Sequence, residues 1–178
     1  MCNISVLFVD VRGFTSLAEQ LPPDQVVARL NRFYAIASHA IFERDGTLDK
    51  LVGDQAMGFF GAPLHGKDHP RRAVETALKI LSAMHGLDPR HQLQIGAGVA
   101  SGEAFVGNVG NAGVTDYTVI GDTVNVAARL QAIAGPGELL VSEDTYAHVA
   151  SDFPNAPARE LGLKGKNLPI TARVLAQA

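Results

Sequence analysis

Asp45-Gly46-Thr47-Leu48-Asp49-Lys50-Leu51-Val52-Gly53-Asp54-Gln55-Ala56-Met57-Gly58-Phe59-Phe60-Gly61 reads as two strands folded back on each other. Thr47 to Val52 and Gln55 to Phe60 are the strands, and Gly53-Asp54 is the connection. A two-residue turn with Gly first matches a type II′ hairpin. Upstream, from Asp24, the apolar residues Val26, Leu30, Phe33, Ala37 and Ile41 recur at helical spacing up to about Arg44. Further upstream, Ile4 to Val9 is an apolar, β-branched run ending at Asp10, as expected of a buried strand. Downstream, Asp68-His69-Pro70 opens a second helix with Ala73, Val74, Ala77, Ile80, Leu81 and Met84 on one face. A hairpin framed by helices on both sides argues for an α+β fold, a mostly antiparallel sheet covered by helices.

The rest of the chain extends this pattern. Gln92 to Ser101 and Glu103 to Val109 read as a glycine-rich hairpin, and Asp116 to Ile120 as a short strand. Gly121-Asp122 leads into a third helix, Thr123 to Ala134, closed by Gly135-Pro136-Gly137. Glu138 to Val141 is strand-like, and Ser142 is placed to cap a short helix. Two closing strands are expected around 158–163 and 169–175.

The 178 residues fit one domain, 1–178, with 47% hydrophobic and 19% charged residues. A net charge of -3 gives no basic footprint for nucleic acid and no polybasic membrane signal. No apolar run approaches the roughly 18 residues of a membrane span. A single cysteine, Cys2, allows no internal disulfide, which points to a reducing, cytoplasmic setting. The chain opens almost inside a strand, so a domain cut from a longer, multidomain protein is expected.

Two carboxylates stand at break points: Asp10 ends the first strand and Asp54 sits at the hairpin tip. If those strands are neighbours, both carboxylates reach one sheet edge. Hard oxygen ligands so placed suit Mg²⁺, and two such ions can activate an attacking oxygen and steady a leaving one. Each residue also has a structural reading, Asp10 as a helix cap and Asp54 as a turn former. Gly13-Phe14-Thr15 follows at a helix start, where backbone N–H groups favour phosphate. Asn125 and Arg129, four apart, share a helix face and could orient a ribose and neutralise phosphate charge. By spacing alone a surface pair is the favoured reading. Lys50 taken singly reads as an exposed strand residue. Six histidines form no ligand pattern, and no P-loop or nucleophile–base set is present.

Taken in order, these segments resemble the class III adenylyl and guanylyl cyclase catalytic domain. LFVDVRGFT, DGTLDKLVGDQAMGFFG, SGEAFVGNVG, DYTVIGDTVNVAARL and LKGKNLPITARV are similar to five collinear segments of that family, over nearly the whole chain. The resemblance implies a ferredoxin-like core. It implies that Asp10, Asp54 and the Val11 carbonyl hold two divalent ions, Mg²⁺ or Mn²⁺. It makes Lys50 and Thr118 the base-reading residues, Asn125 the ribose-orienting one and Arg129 the transition-state arginine. Lys164 matches a triphosphate-binding lysine. The implied reaction is conversion of ATP to 3′,5′-cyclic AMP and pyrophosphate by in-line attack of the ribose 3′-oxygen.

Family members act as head-to-tail dimers with shared sites, so a homodimer fused to a regulatory domain is expected. Adenine N1 accepts a hydrogen bond, so the Lys50 ammonium favours ATP; guanine N1 carries a proton and suits a carboxylate. Thr118 stands where many relatives carry aspartate and discriminates less firmly. It resembles a bacterial subgroup, class IIIb, in which some members respond to bicarbonate. Two other readings are a relaxed cyclase that also uses GTP and a non-catalytic nucleotide-binding dimerisation module. The intact set Asp10, Asp54, Asn125 and Arg129 argues against the module. One departure is Gly96-Ala97-Gly98-Val99-Ala100, where many relatives carry a basic residue and a histidine.

Overall fold

In the computed structural model, residues 1–87, 93–111, 113–162 and 170–176 are described. The first strand, β1 (Cys2–Val11), is buried on both faces, as its unbroken apolar run requires. A short helix, α1 (Phe14–Gln20), precedes the long helix α2 (Pro23–Phe42), which starts on a proline with Asp24 in its first turn. The hairpin follows as β2 (Thr47–Val52) and β3 (Gln55–Phe60). Its turn has Gly53 at φ +60°, while Asp54 keeps a negative φ, as a type II′ turn demands. Then come α3 (His69–His85) and β4 (Ile95–Asn111).

These elements form a sheet in the order β2-β3-β1-β4, each adjacent pair antiparallel. That order is the ferredoxin-like arrangement. The helix α4 (Asp122–Ile133) carries the chain over to β6 (Leu139–Ser142), which joins β4 in parallel. The short α5 (Glu143–Tyr146) is capped by the Ser142 hydroxyl, which accepts from the Thr145 amide at 3.3 Å. The strands β8 (Ile170–Ala176) and β7 (Ala158–Leu161) complete the far edge. The expected end positions 163 and 169 lie outside the described residues.

One expectation is overturned. Residues 92–101 and 103–109 do not form a hairpin; from Ile95 the chain runs straight through Ser101-Gly102 as one strand, and Gln92 lies outside the described residues. The two halves of β4 differ because their partners differ. The first half lies between β1 and β6 and is buried, whereas the second pairs only with β5 (Val114–Ile120), from Phe105↔Ile120 to Asn111↔Val114. Gly102 stays in register with Ile4, so it does not turn the chain.

The sheet has a core on each face. Leu7, Val9 and Val11 of β1 pack with Phe33, Ile41, Ile80 and Met84 of α2 and α3. Ile4, Val6 and Phe8 point the other way, onto Ala127 and Leu130 of α4. The bare backbone of β4 lets α4 lie low on that face. A Cβ on Gly98 would sit 2.6 Å from the Ala127 carbonyl oxygen, far inside contact distance. No helix among the described residues is long and apolar enough to cross a membrane.

Candidate active site

The C-terminal end of β1 and the β2–β3 turn meet. The Val11 amide donates to the Asp54 carbonyl oxygen at 3.0 Å, and Asp10 is in register with Gln55. The Tyr34 hydroxyl of α2 donates to the Gly53 carbonyl and fastens the turn from below. Burial and then the Asp54 charge push the Tyr34 phenol above its ordinary range, so it remains a donor at neutral pH. Asp10 is partly buried. Burial first, and the neighbouring Asp54 charge second, raise its carboxyl above the usual range, against the Arg12 guanidinium and the Gln131 amide. Arg12 donates to Asp10 Oδ2 at 2.9 Å, and Gln131 to the same oxygen at 3.0 Å.

A part-buried, like-charged carboxylate pair is chemically suited to a hard cation. Among the described residues no group of three or more His, Cys, Asp or Glu could hold a metal ion. Two carboxylates and backbone or phosphate oxygens fit Mg²⁺ or Mn²⁺, which keep several non-protein ligands. The donor set therefore fits divalent ions whose remaining ligands come from nucleotide and water.

Gly96 bears on the missing basic residue. A Cβ there would lie 3.1 Å from Arg12 Nε and 2.9 Å from the Ala134 carbonyl oxygen. Arg12 thus fills the space above Gly96, and its Nε is buried with no hydrogen-bond partner. A guanidinium is present at this edge, delivered from the turn after β1 instead of from β4.

The remaining candidates lie elsewhere. Lys50 extends from β2 to β5, with its ammonium 3.3 Å from Asp116 and 3.6 Å from Asp49. Asp116 lies two residues from Thr118 and so shares its face of β5. Asp49 is almost fully buried, and neither of its oxygens is hydrogen-bonded. Asn125 is exposed and Arg129 half-buried on α4. Neither side chain has a hydrogen bond or ion pair among the described residues. Gly13 is the exposed N-cap of α1, Phe14 packs against the α2–α3 core, and Thr15 is exposed. Lys164 lies outside the described residues.

The family described as "Adenylate and Guanylate cyclase catalytic domain" matches residues 1–175. The chain belongs to this family. Among solved structures, the guanylyl cyclase Cya2 is similar, with a TM-score of 0.87 and 30% identity over 97% of this chain and 90% of that one. The adenylyl cyclase CyaB from P. aeruginosa gives 0.86 and 31% over 99% and 95%. The uncharacterized protein Rv1319c of Mycobacterium tuberculosis is 40% identical over 156 residues, 86% of this chain and 29% of its own length. Rv1318c of the same organism is 35% identical over 173 residues, 94% of this chain and 31% of its own. The chain thus spans under a third of these curated relatives. It is a nucleotidyl cyclase catalytic domain with both adenylyl and guanylyl cyclases among its structural neighbours.

Sequence reasoning missed Arg12, Tyr34, Gln55, Asp116 and Gln131. Two of them left a signal. Asp116 alternates with Thr118 along a strand, and Gln131 is a polar residue on the apolar face set by Ala127, Leu130 and Ala134.

Proposed function

We propose that this cyclase domain is an adenylate cyclase, forming 3′,5′-cyclic AMP and pyrophosphate from ATP in sites shared by a head-to-tail homodimer. The carrying observation is the Asp10–Asp54 carboxylate pair, gathered at one sheet edge and raising the cost of Asp10's own charge. Asp10, Asp54 and the Val11 carbonyl would hold two divalent ions. Such ions supply activation of the ribose 3′-oxygen and charge relief on the departing pyrophosphate. The chain's own groups do the rest. From the partner chain, Asn125 orients the ribose and Arg129 meets the charge developing on the α-phosphate. Lys50 donates to adenine N1, and Thr118 accepts from or donates to the 6-position. Arg12 and the Gly13-Phe14-Thr15 amides lie toward the phosphates, and Lys164 reaches the triphosphate.

The unpartnered state of Arg129 and Asn125 within one chain supports the shared site. So do Phe105, Val109, Tyr117 and Ile120, large apolar residues exposed on the β4–β5 ribbon, where a second copy could cover them. We further propose that the domain acts within a longer cytoplasmic protein with a regulatory domain. A cyclase that also accepts GTP is the second reading, favoured by the likeness to the guanylyl cyclase Cya2.

Incubation with ATP or GTP and Mg²⁺ or Mn²⁺, followed by product analysis, tests the assignment. Cyclic AMP in excess is expected; cyclic GMP in excess would overturn it in favour of guanylate cyclase. Thr118 adds an expectation of bicarbonate stimulation, and equal rates with bicarbonate and chloride at fixed pH would remove it.

A further inference from the structure

Gln131 is only 3% exposed, in a layer otherwise made of Ala127, Leu130, Ala134 and Leu140. A leucine would suit that place, because a buried amide costs about 1–3 kcal/mol unless it is hydrogen-bonded. Its amide is bonded at both ends. Nε2 donates to Asp10 Oδ2 at 3.0 Å, and Oε1 accepts from Gln55 Nε2 at 3.2 Å. Both partners belong to the carboxylate edge. Gln55 directly follows Asp54 and is in register with Asp10. Because Gln55 donates to the oxygen, the nitrogen must face Asp10. The height of α4 above Gly98 sets the reach of Gln131. The second donor to Oδ2, Arg12, comes from the turn directly after β1, and neither of these bonds ends on Oδ1.

We propose that Gln131 is a positioning residue for Asp10. By occupying Oδ2 from the helix that also carries Asn125 and Arg129, it fixes the rotamer in which the carboxylate offers its remaining lone pairs to a divalent cation. Gln55 locks the amide in the donating orientation. The inference rests on reading Asp10 and Asp54 as the cation-holding pair.

The test is Mn²⁺ binding to the full chain without nucleotide, followed by loss of the free-ion paramagnetic resonance signal. Gln131→Leu keeps the volume and deletes both bonds. It is expected to weaken Mn²⁺ binding about 10–100-fold, the usual effect of removing a partner that orients a ligand. Its metal-free melting temperature should be unchanged or higher. Gln55→Leu leaves the Gln131 donor but frees its orientation, and should weaken binding a few-fold. Unchanged Mn²⁺ affinity in Gln131→Leu would overturn the proposal, as would a lowered melting temperature with affinity intact. If Gln131→Leu does not fold, unchanged affinity in Gln55→Leu overturns it instead. Asp54→Ala separates the two failures. If it leaves Mn²⁺ binding intact, the cation-pair reading falls and the proposal with it; if it abolishes binding while Gln131→Leu has no effect, only the positioning role falls.

Discussion

Asp10 holds its charge half-buried beside Asp54, and its carboxyl lies above the ordinary range for that reason. A raised folded-state pKa means the group favours the fold below its unfolded pKa. That contribution is lost as pH rises through the folded value. At neutral pH without metal, the charge therefore opposes folding. Asp10→Asn should raise the metal-free melting temperature while abolishing cyclase activity. Mn²⁺ should raise the melting temperature of the wild type and leave that of the variant unmoved, readable by scanning fluorimetry. Lys50→Glu replaces the proposed donor to adenine N1 by an acceptor. Charge-assisted bonds contribute about 1.5–3 kcal/mol, so the kcat/KM ratio of ATP to GTP should fall about 10–100-fold. Asp10, Asp54 and Lys50 were singled out by their places in the collinear segments, since each taken alone also has a structural reading. Arg12 and Gln131 were not, because their partners lie across the sheet or far along the chain.

The helix α4 and strand β4 form the contact on which the site's geometry depends. Gly98 admits the helix backbone, and a side chain there must push it away. Gly98→Ala is expected to cost about 1–3 kcal/mol by overpacking. It should also weaken Mn²⁺ binding by lifting Gln131. Thermal melting and metal titration on the same variant check both effects. The loop from α4 to β6 is held by Glu138, 4% exposed, which accepts both guanidinium nitrogens of Arg159 at 2.7 and 2.9 Å and the Gly135 amide at 2.9 Å. Burial pushes its carboxyl up, but these bonds outweigh it and the net shift is downward. A lowered folded-state pKa gives stability that is present above the unfolded value and lost as pH falls through the folded one. Arg159→Ala should cost about 1.5–3 kcal/mol at pH 7, with the difference from wild type shrinking in acid melts. The continuity of β4 escaped the sequence because Ser101-Gly102 has turn chemistry. Pairing with β1 and then β5 holds it extended.

At the scale of the whole molecule, Asn125 and Arg129 have no hydrogen-bond or ion-pair partner among the described residues, and the proposed site is shared between two chains. Two copies facing head to tail would bring this pair of one chain to the metal-edge carboxylates of the other. Asp54→Ala and Arg129→Ala homodimers should each be nearly inactive. Mixed chains should recover about a quarter of wild-type activity, since half the dimers are mixed and each holds one intact site of two. No recovery after exchange of subunits would defeat the shared-site reading. A polar substitution at Ile120 or Phe105 on the exposed ribbon should shift the domain toward monomer in sedimentation and lower activity in parallel.

The sequence by itself determined the α+β class, the family and the order of helices and strands apart from the hairpin wrongly expected within β4. Hydrophobic period, turn chemistry and five collinear segments act over a few residues at a time and are written in the chain. Only the tertiary structure decided which side chains meet. It delivered Arg12 above Gly96, linked Gln131 to Asp10 across 121 positions, and drew Lys50 toward β5. Those contacts depend on how low α4 sits on a glycine-lined strand and on where a long strand changes partners. Such quantities are set by the packing of the two cores, and no local preference along the sequence encodes them.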